Sequence, residues 1–154
     1  MIKIKTVLIS SMLFCCTSLI HAQELLDELP TTKEAFIASE KKVLGTIDWL
    51  ENTAVNQEEE KRKQQNAMLV AWITNSPTVT LEISANVLTF TKKNPELLIL
   101  FMGGWTKYSL QNNYSSDPVL GSTAGIKSAI KVYKTGLLKK DKAHPALPYA
   151  GSES

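Results

Sequence analysis

The chain has 154 residues, a formal net charge of +2 and two histidines. Its length allows one ordinary hydrophobic core and predicts a single domain. Beyond residue 21 the sequence holds one histidine, His144, and no cysteine, which disfavours a disulfide framework, a zinc site and catalysis through a histidine base.

The N-terminus has the pattern of an export signal. Residues 1–5 include two lysines and no acid, residues 6–20 are uncharged and largely apolar, and acidic sequence follows. The apolar run is shorter than the roughly 20 residues that a helix needs to cross a bilayer. We therefore predict a signal peptide over residues 1–22, cleaved between Ala22 and Gln23, and a secreted or periplasmic protein with no transmembrane segment in its mature chain.

A lipoprotein and an uncleaved membrane anchor are the alternative interpretations of this region. Acylation of Cys16 would make it the mature N-terminus and anchor the protein through lipid. Cys15 stands at the position before it, where a small residue such as glycine or alanine is usual, so simple cleavage is favoured.

Charge is distributed unevenly beyond the predicted signal. Residues 23–82 carry a net charge of about −5 and residues 83–154 a net charge of about +5. The basic half has scattered lysines rather than an arginine-rich stripe with interleaved aromatic residues, so nucleic-acid binding is not predicted. The opposite charges lead to two hypotheses: they fix how the halves dock, or they steer head-to-tail association of copies.

A first helix is predicted after an acidic, loosely ordered leader over residues 23–30. Thr31 and Glu34 have the spacing of a capping box. Apolar residues then recur at three- and four-residue spacing, as in an amphipathic helix; they are Phe36, Val43, Leu44, Ile47 and Leu50. The charged residues on the remaining faces are expected mostly to face water; they are Lys33, Glu40, Lys41 and Glu51.

A second capping-box pattern, Asn56 with Glu59, predicts the second helix. Glu58 stands four residues before Arg62, and Glu59 four before Lys63, which is the favourable order for helix ion pairs. We expect this part of the helix to be solvated; the alternative is a docking patch. Residues 67–73 are almost entirely apolar and are expected to lie deep in the core, before Pro77 stops the helix.

The next segment, residues 78–93, fits two periods. Val79, Leu81 and Ile83 alternate with polar residues, as in a strand. A helical stripe is also present, formed by Val79, Ile83, Val87 and Phe90. Because sixteen residues pass without a turn signal, a helix is favoured. The alternative is a short strand at 78–84, which would make the fold α+β.

The last two helices have the clearest starts. Asn94-Pro95-Glu96 combines a capping side chain, a proline whose missing amide costs nothing, and an acid at the positive end of the helix dipole. It predicts a central buried helix to about Asn112, in which Gly103-Gly104 either allows close contact with a neighbouring helix, the favoured interpretation, or marks a kink. Asp117-Pro118 repeats the start, and a fifth helix should end near Gly136; its predicted stripe is Ile126, Ile130, Tyr133 and Leu137.

Together these elements predict an all-α domain over residues 31–138, followed by a flexible tail at 139–154. About five helices would form a compact antiparallel bundle or a short helical-hairpin array.

Two sets of residues are candidates for function. Polar and aromatic side chains near the end of the fourth helix could line a pocket mouth; the candidate ligand-binding residues are Trp105, Tyr108, Gln111, Asn112 and Tyr114. Glu82 and Glu96 are the acids flanked by strongly apolar sequence and are candidate buried acids. The sequence contains no phosphate loop, dinucleotide fingerprint or metal-ligand spacing, so no cofactor, metal or catalytic residue is predicted.

A non-catalytic exported module that binds a small ligand or a protein partner is the favoured hypothesis. The first alternative is a carboxylate-dependent hydrolase or lyase, which needs two acids converging in one pocket. The second is an immunity-type inhibitor protein of the cell envelope, which needs an exposed apolar patch or a patch of one charge.

Overall fold

The computed structural model describes residues 24–92 and 94–135, and within these ranges the chain forms five α-helices and no β-strand. They are α1 (Lys33–Asn52), α2 (Glu59–Asn75), α3 (Ala85–Thr91), α4 (Pro95–Gln111) and α5 (Pro118–Lys134). The α4 and α5 helices form the most extensive interface, and α1 packs on α4, α2 and α5. The prediction of an all-α bundle is confirmed.

Several predictions concern residues outside the described ranges. They are the signal peptide over residues 1–22, its cleavage between Ala22 and Gln23, the acylation of Cys16, the end of the fifth helix near Gly136 with Leu137 on its stripe, and the tail at 139–154.

Local capping signals locate two of the helix starts correctly. Asn94 Oδ1 accepts a hydrogen bond from the Glu96 amide at 3.2 Å, and Asp117 Oδ1 accepts from two amides of the first turn of α5. In α1 the cap is Thr32 rather than Thr31. The capping box predicted for α2 is wrong, because α2 follows Glu58 in a left-handed conformation (φ 48°) without a side-chain cap.

Residues 78–84 are neither helix nor strand, so the strand interpretation was wrong, and of the helix predicted over residues 78–93 only Ala85–Thr91 is helical. Its alternation is nevertheless real: Val79 is buried and Leu81 and Ile83 are half-buried, whereas Thr80 and Glu82 are exposed. An extended chain alternates its side chains without needing a partner, but a strand also needs a ladder of hydrogen bonds. The described residues provide no such ladder, and α3 begins only at Ala85.

The main core lies among α1, α2, α4 and α5. Its members are Leu26, Phe36, Val43, Ile47, Leu50, Leu69, Trp72, Ile73, Val79, Leu97, Leu100, Ala129 and Val132. A second cluster joins α3 to α4 through Val87, Phe101 and Trp105. Within the part of the chain that the structure describes, no helix is long and apolar enough to cross a membrane.

Leu26 ties the acidic leader to this core, in contrast to the loose order expected there. Its side chain is 1% exposed, its amide donates to Thr46 Oγ1 at 2.9 Å, and its carbonyl accepts from Gln65 Nε2 at 3.0 Å. Thr46 Oγ1 in turn donates to Gln65 Oε1 at 3.1 Å. Both backbone polar groups of Leu26 are therefore satisfied by side chains of α1 and α2, as burial requires.

The α4 and α5 helices run antiparallel at very short separation. A Cβ on Gly121 would overlap the Trp105 indole, and one on Gly104 would lie 2.6 Å from Ser128 Cβ. The contact predicted for the Gly103-Gly104 pair is thus made by Gly104. The helix α5 buries its small residues, namely Gly121, Gly125, Ser128, Ala129 and Val132, while the predicted stripe residues Ile126, Ile130 and Tyr133 are only half-buried at its margin.

Candidate functional site

The structure brings three of the five candidate ligand-binding residues together. Tyr108 and Gln111 on α4 and Asn112 at its C-cap lie at three- and four-residue spacing and line one groove. Trp105 is instead 1% exposed and packs against Gly121 in the core. Tyr114 lies beyond the end of α4, where its hydroxyl donates to Glu40 Oε2 at 3.3 Å.

This depression, the α4–α5 groove, is open and has a volume of about 440 Å³. It is lined by Glu51 from α1, by Gly104, Lys107, Tyr108 and Gln111 from α4 with its C-cap Asn112, and by Ala124, Lys127, Ser128 and Lys131 from α5. Because Gly104 has no side chain, the α5 backbone approaches α4 closely at the base of the groove. The larger side chains then form its walls.

Glu51 lines the α4–α5 groove and is only 6% exposed. Its carboxylate accepts a hydrogen bond from Ser128 Oγ at 2.7 Å and from Lys131 Nζ at 3.2 Å. The expectation that Glu51 faces water was wrong. Its position four residues after Ile47 on a buried stripe is the sequence signal that could have indicated burial.

Of the three lysines that line the groove, Lys107 and Lys131 are held by acids and a side-chain amide of α1. Lys107 pairs with Asp48 and lies 3.7 Å from Glu51 Oε2, and Lys131 also donates to Asn52 Oδ1 at 3.2 Å. Burial acts to lower the pKa of Lys107, but the hydrogen bond to Asp48 and the two nearby negative charges outweigh it and raise the pKa above its ordinary value. Lys107 is therefore charged at neutral pH.

Lys127 differs from the other two lysines of the groove. Its ammonium group makes no hydrogen bond or ion pair with any other residue in the described ranges, and the residue is exposed at the groove wall. The sequence did not point to Lys127 or Lys131 as partners of the α4 residues, because both belong to the neighbouring helix. Only the packing of α5 on α4 makes them line the same groove as Tyr108 and Gln111.

The two candidate acids lie elsewhere and do not converge. Glu82 is exposed in the irregular segment before α3. The Glu96 side chain is 13% exposed, and its carboxylate binds Arg62 at 2.7 Å and Asn66 Nδ2 at 2.9 Å. Arg62 was expected to be solvated beside Glu58 and is instead 2% exposed. This ion pair joins α2 to the start of α4.

The chemical groups of the α4–α5 groove suit binding. Ammonium groups hold anions by charged hydrogen bonds, and carboxamides both donate and accept. The hydroxyl of Ser128 is buried and already donates to Glu51. In residues 24–92 and 94–135, no cluster of three or more histidine, cysteine or acidic residues is placed to hold a metal ion.

Comparisons with protein-family models, with curated proteins and with solved structures found no significant match for this chain.

Proposed function

We propose that this protein is an exported, non-catalytic binding module that holds a small polar ligand in the α4–α5 groove. The observation that carries the proposal is the groove itself, which gathers Tyr108, Gln111 and Asn112 with three lysines around about 440 Å³. Small-ligand sites have volumes of roughly 300–1,000 Å³ and a few convergent polar groups. The export part of the proposal rests on the N-terminal sequence pattern.

A blocking substitution tests the site. Ala124 lies in the groove, whereas its neighbour Thr123 is exposed and does not line it. Ala124→Leu should fill the groove, and Thr123→Leu adds a similar side chain outside it. Binding of glucose, glucuronate, glucose 6-phosphate and inorganic phosphate would be followed through the backbone amide signals of α4 and α5 by NMR titration.

We expect at least one probe to shift the amide signals of Lys107, Gln111 and Lys127, and the shifts to be lost in Ala124→Leu but kept in Thr123→Leu. The proposal fails if no probe shifts these signals. It also fails if Ala124→Leu folds normally and binds as well as the unchanged protein.

An immunity-type interaction protein is the second candidate. Val119 and Leu120, at the start of α5, are 69% and 51% exposed, and an exposed apolar patch is what such a role requires. Two adjacent side chains form a small patch, so the groove is the better-supported site. A carboxylate-dependent enzyme has less support, because Glu82 and Glu96 do not share a cleft.

The interaction role is tested by exchanging the exposed pair for serine. The Val119→Ser and Leu120→Ser double variant should abolish capture of an envelope protein partner by the immobilised protein, while Ala124→Leu should not. The reverse pattern, with capture sensitive only to Ala124→Leu, would favour the groove.

A further inference from the structure

We infer that the ligand of the α4–α5 groove is an anionic sugar, a sugar acid or sugar phosphate, whose acidic group binds Lys127. This inference rests on the proposed function and specifies its ligand. It follows from the charge balance of the groove, from the spacing of its lysines and from the groups that surround them.

The charge balance leaves one ammonium group in excess. Glu51 in the groove and Asp48 beside Lys107 contribute two negative charges, and Lys107 and Lys131 lie against them as ion pairs. Both lysines also lie near the last turn of α1, where cations are favoured by the helix dipole. Packing and helix electrostatics thus explain Lys107 and Lys131 without a ligand, but they do not explain Lys127.

The spacing of Lys127 and Lys131 is a second observation that sets Lys127 apart from the ion-paired lysines. Lys127 and Lys131 are four residues apart on α5 and face the same groove, and like charges at this spacing repel each other. An anion between them would relieve the repulsion and supply the partner that Lys127 lacks among the described residues. The Lys131 side chain is 47% exposed, so it has room to turn towards such an anion.

The rest of the groove suits a hydroxyl-rich ring. Gln111 and Asn112 present carboxamides, which donate to and accept from hydroxyl groups. Asn112 Nδ2 donates to the Tyr108 carbonyl at 2.7 Å, which holds that side chain at the groove wall. The half-buried Tyr108 ring offers an apolar face against which a sugar ring can lie.

The test compares Lys127→Gln with Lys134→Gln. Lys134 is an exposed lysine of the same helix, two turns further on, and does not line the groove. Dissociation constants for glucuronate, glucose 6-phosphate, glucose and inorganic phosphate would be measured by NMR titration at low and at high salt.

We expect glucuronate or glucose 6-phosphate to bind more tightly than glucose or inorganic phosphate. Lys127→Gln should raise the dissociation constant of the anionic sugar about tenfold or more, as loss of a charged hydrogen bond does. Lys134→Gln should leave it unchanged, and added salt should weaken binding. Preference for glucuronate over glucose 6-phosphate identifies a carboxylate as the bound acid, and the opposite preference a phosphate.

Failure of this inference is distinct from failure of the proposed function. If glucose shifts the groove signals as strongly as the anionic sugars and Lys127→Gln has no effect, the groove binds ligands but the inference is wrong. If inorganic phosphate binds as tightly as glucose 6-phosphate, the sugar part is wrong. If no probe shifts the groove signals, the inference and the proposed function fall together.

Discussion

Arg62 shows how one buried side chain joins three helices. Its Nε donates to Glu96 Oε1 at 2.7 Å, and its Nη1 and Nη2 donate to the carbonyls of Thr53 and Leu50, each at 2.9 Å. Those carbonyls belong to the C-terminal end of α1, where no amide of the helix itself can satisfy them. Arg62, on α2, thus caps α1 and pairs with the first turn of α4.

Replacement of Arg62 by leucine should therefore be costly. Arg62→Leu leaves the carboxylate of Glu96 largely buried without its cation and removes the donors to two carbonyls, so we expect the free energy of unfolding to fall by about 3–5 kcal/mol. Lys63→Leu changes an exposed neighbour and should alter it by less than about 0.5 kcal/mol. Chemical denaturation would measure the free energy of unfolding of both variants.

A second substitution separates charge from packing at this position. Glu96→Gln in the Arg62→Leu background should recover part of the lost stability, because it removes the uncompensated charge. Equal stability of Arg62→Leu and Lys63→Leu would contradict the role assigned to Arg62.

At the scale of elements, the α4–α5 pair depends on the absence of side chains where the helices meet. A Cβ on Gly104 would lie 2.8 Å from the Ala124 carbonyl oxygen, which belongs to the α5 backbone and cannot turn aside. A Cβ on Gly103 would instead lie 3.5 Å from the Ile47 side chain, which is ordinary van der Waals contact. Adjacent glycines therefore have opposite tolerance for a methyl group.

The pair offers a matched comparison of two alanine variants. Gly104→Ala should force α4 and α5 apart and lower the free energy of unfolding by about 1–3 kcal/mol. Gly103→Ala should be neutral or stabilise the protein by up to about 1 kcal/mol, because alanine favours the helix. Thermal unfolding would compare the stability of the two variants. A Gly104→Ala protein as stable as the Gly103→Ala protein would mean that the helices do not pack this closely.

At the scale of the whole molecule, Glu40 connects three distant segments. The Glu40 side chain, on α1, accepts two hydrogen bonds. One comes from the Tyr114 hydroxyl, in the turn between α4 and α5, and the other from Thr78 Oγ1, in the segment between α2 and α3. Burial raises the pKa of Glu40 above its ordinary value of 4.5, and the two hydrogen bonds offset this only in part.

This pKa shift has a defined sign in the pH dependence of stability. Because the folded protein holds the Glu40 proton more tightly than the unfolded chain does, folding takes up a proton between pH 4.5 and the raised pKa. The stability from this group is present at low pH and is lost as the pH rises through that window. Relative to Glu40→Gln, the unchanged protein should therefore lose stability as the pH rises from 4.5 towards neutral.

Denaturation series over this pH range check the prediction. Glu82→Gln, at an exposed acid, is the control and should follow the unchanged protein. A constant difference between Glu40→Gln and the unchanged protein across the range would refute the shift.

Helix formation could be predicted where the signal is local. Asn94-Pro95 and Asp117-Pro118 start α4 and α5 as expected, because a cap and a proline act within one turn. The face shared by Tyr108, Gln111 and Asn112 also follows from spacing along one helix. The same spacing did not reveal that Trp105 packs inward against Gly121, or that the chain turns after α4 and carries Tyr114 away to Glu40.

The features that the sequence alone determined are thus the all-α class, the amphipathic face of α1, two helix starts and three residues of the α4–α5 groove. Tertiary packing decided the rest: the burial of Arg62 and Glu51, the docking of Leu26, and the meeting of Lys127 and Lys131 with α4. The physical reason is that caps and helical faces depend on residues within one turn. Burial of a charge depends instead on a partner far along the chain, such as Glu96 for Arg62 or Ser128 for Glu51, which only the folded molecule brings into contact.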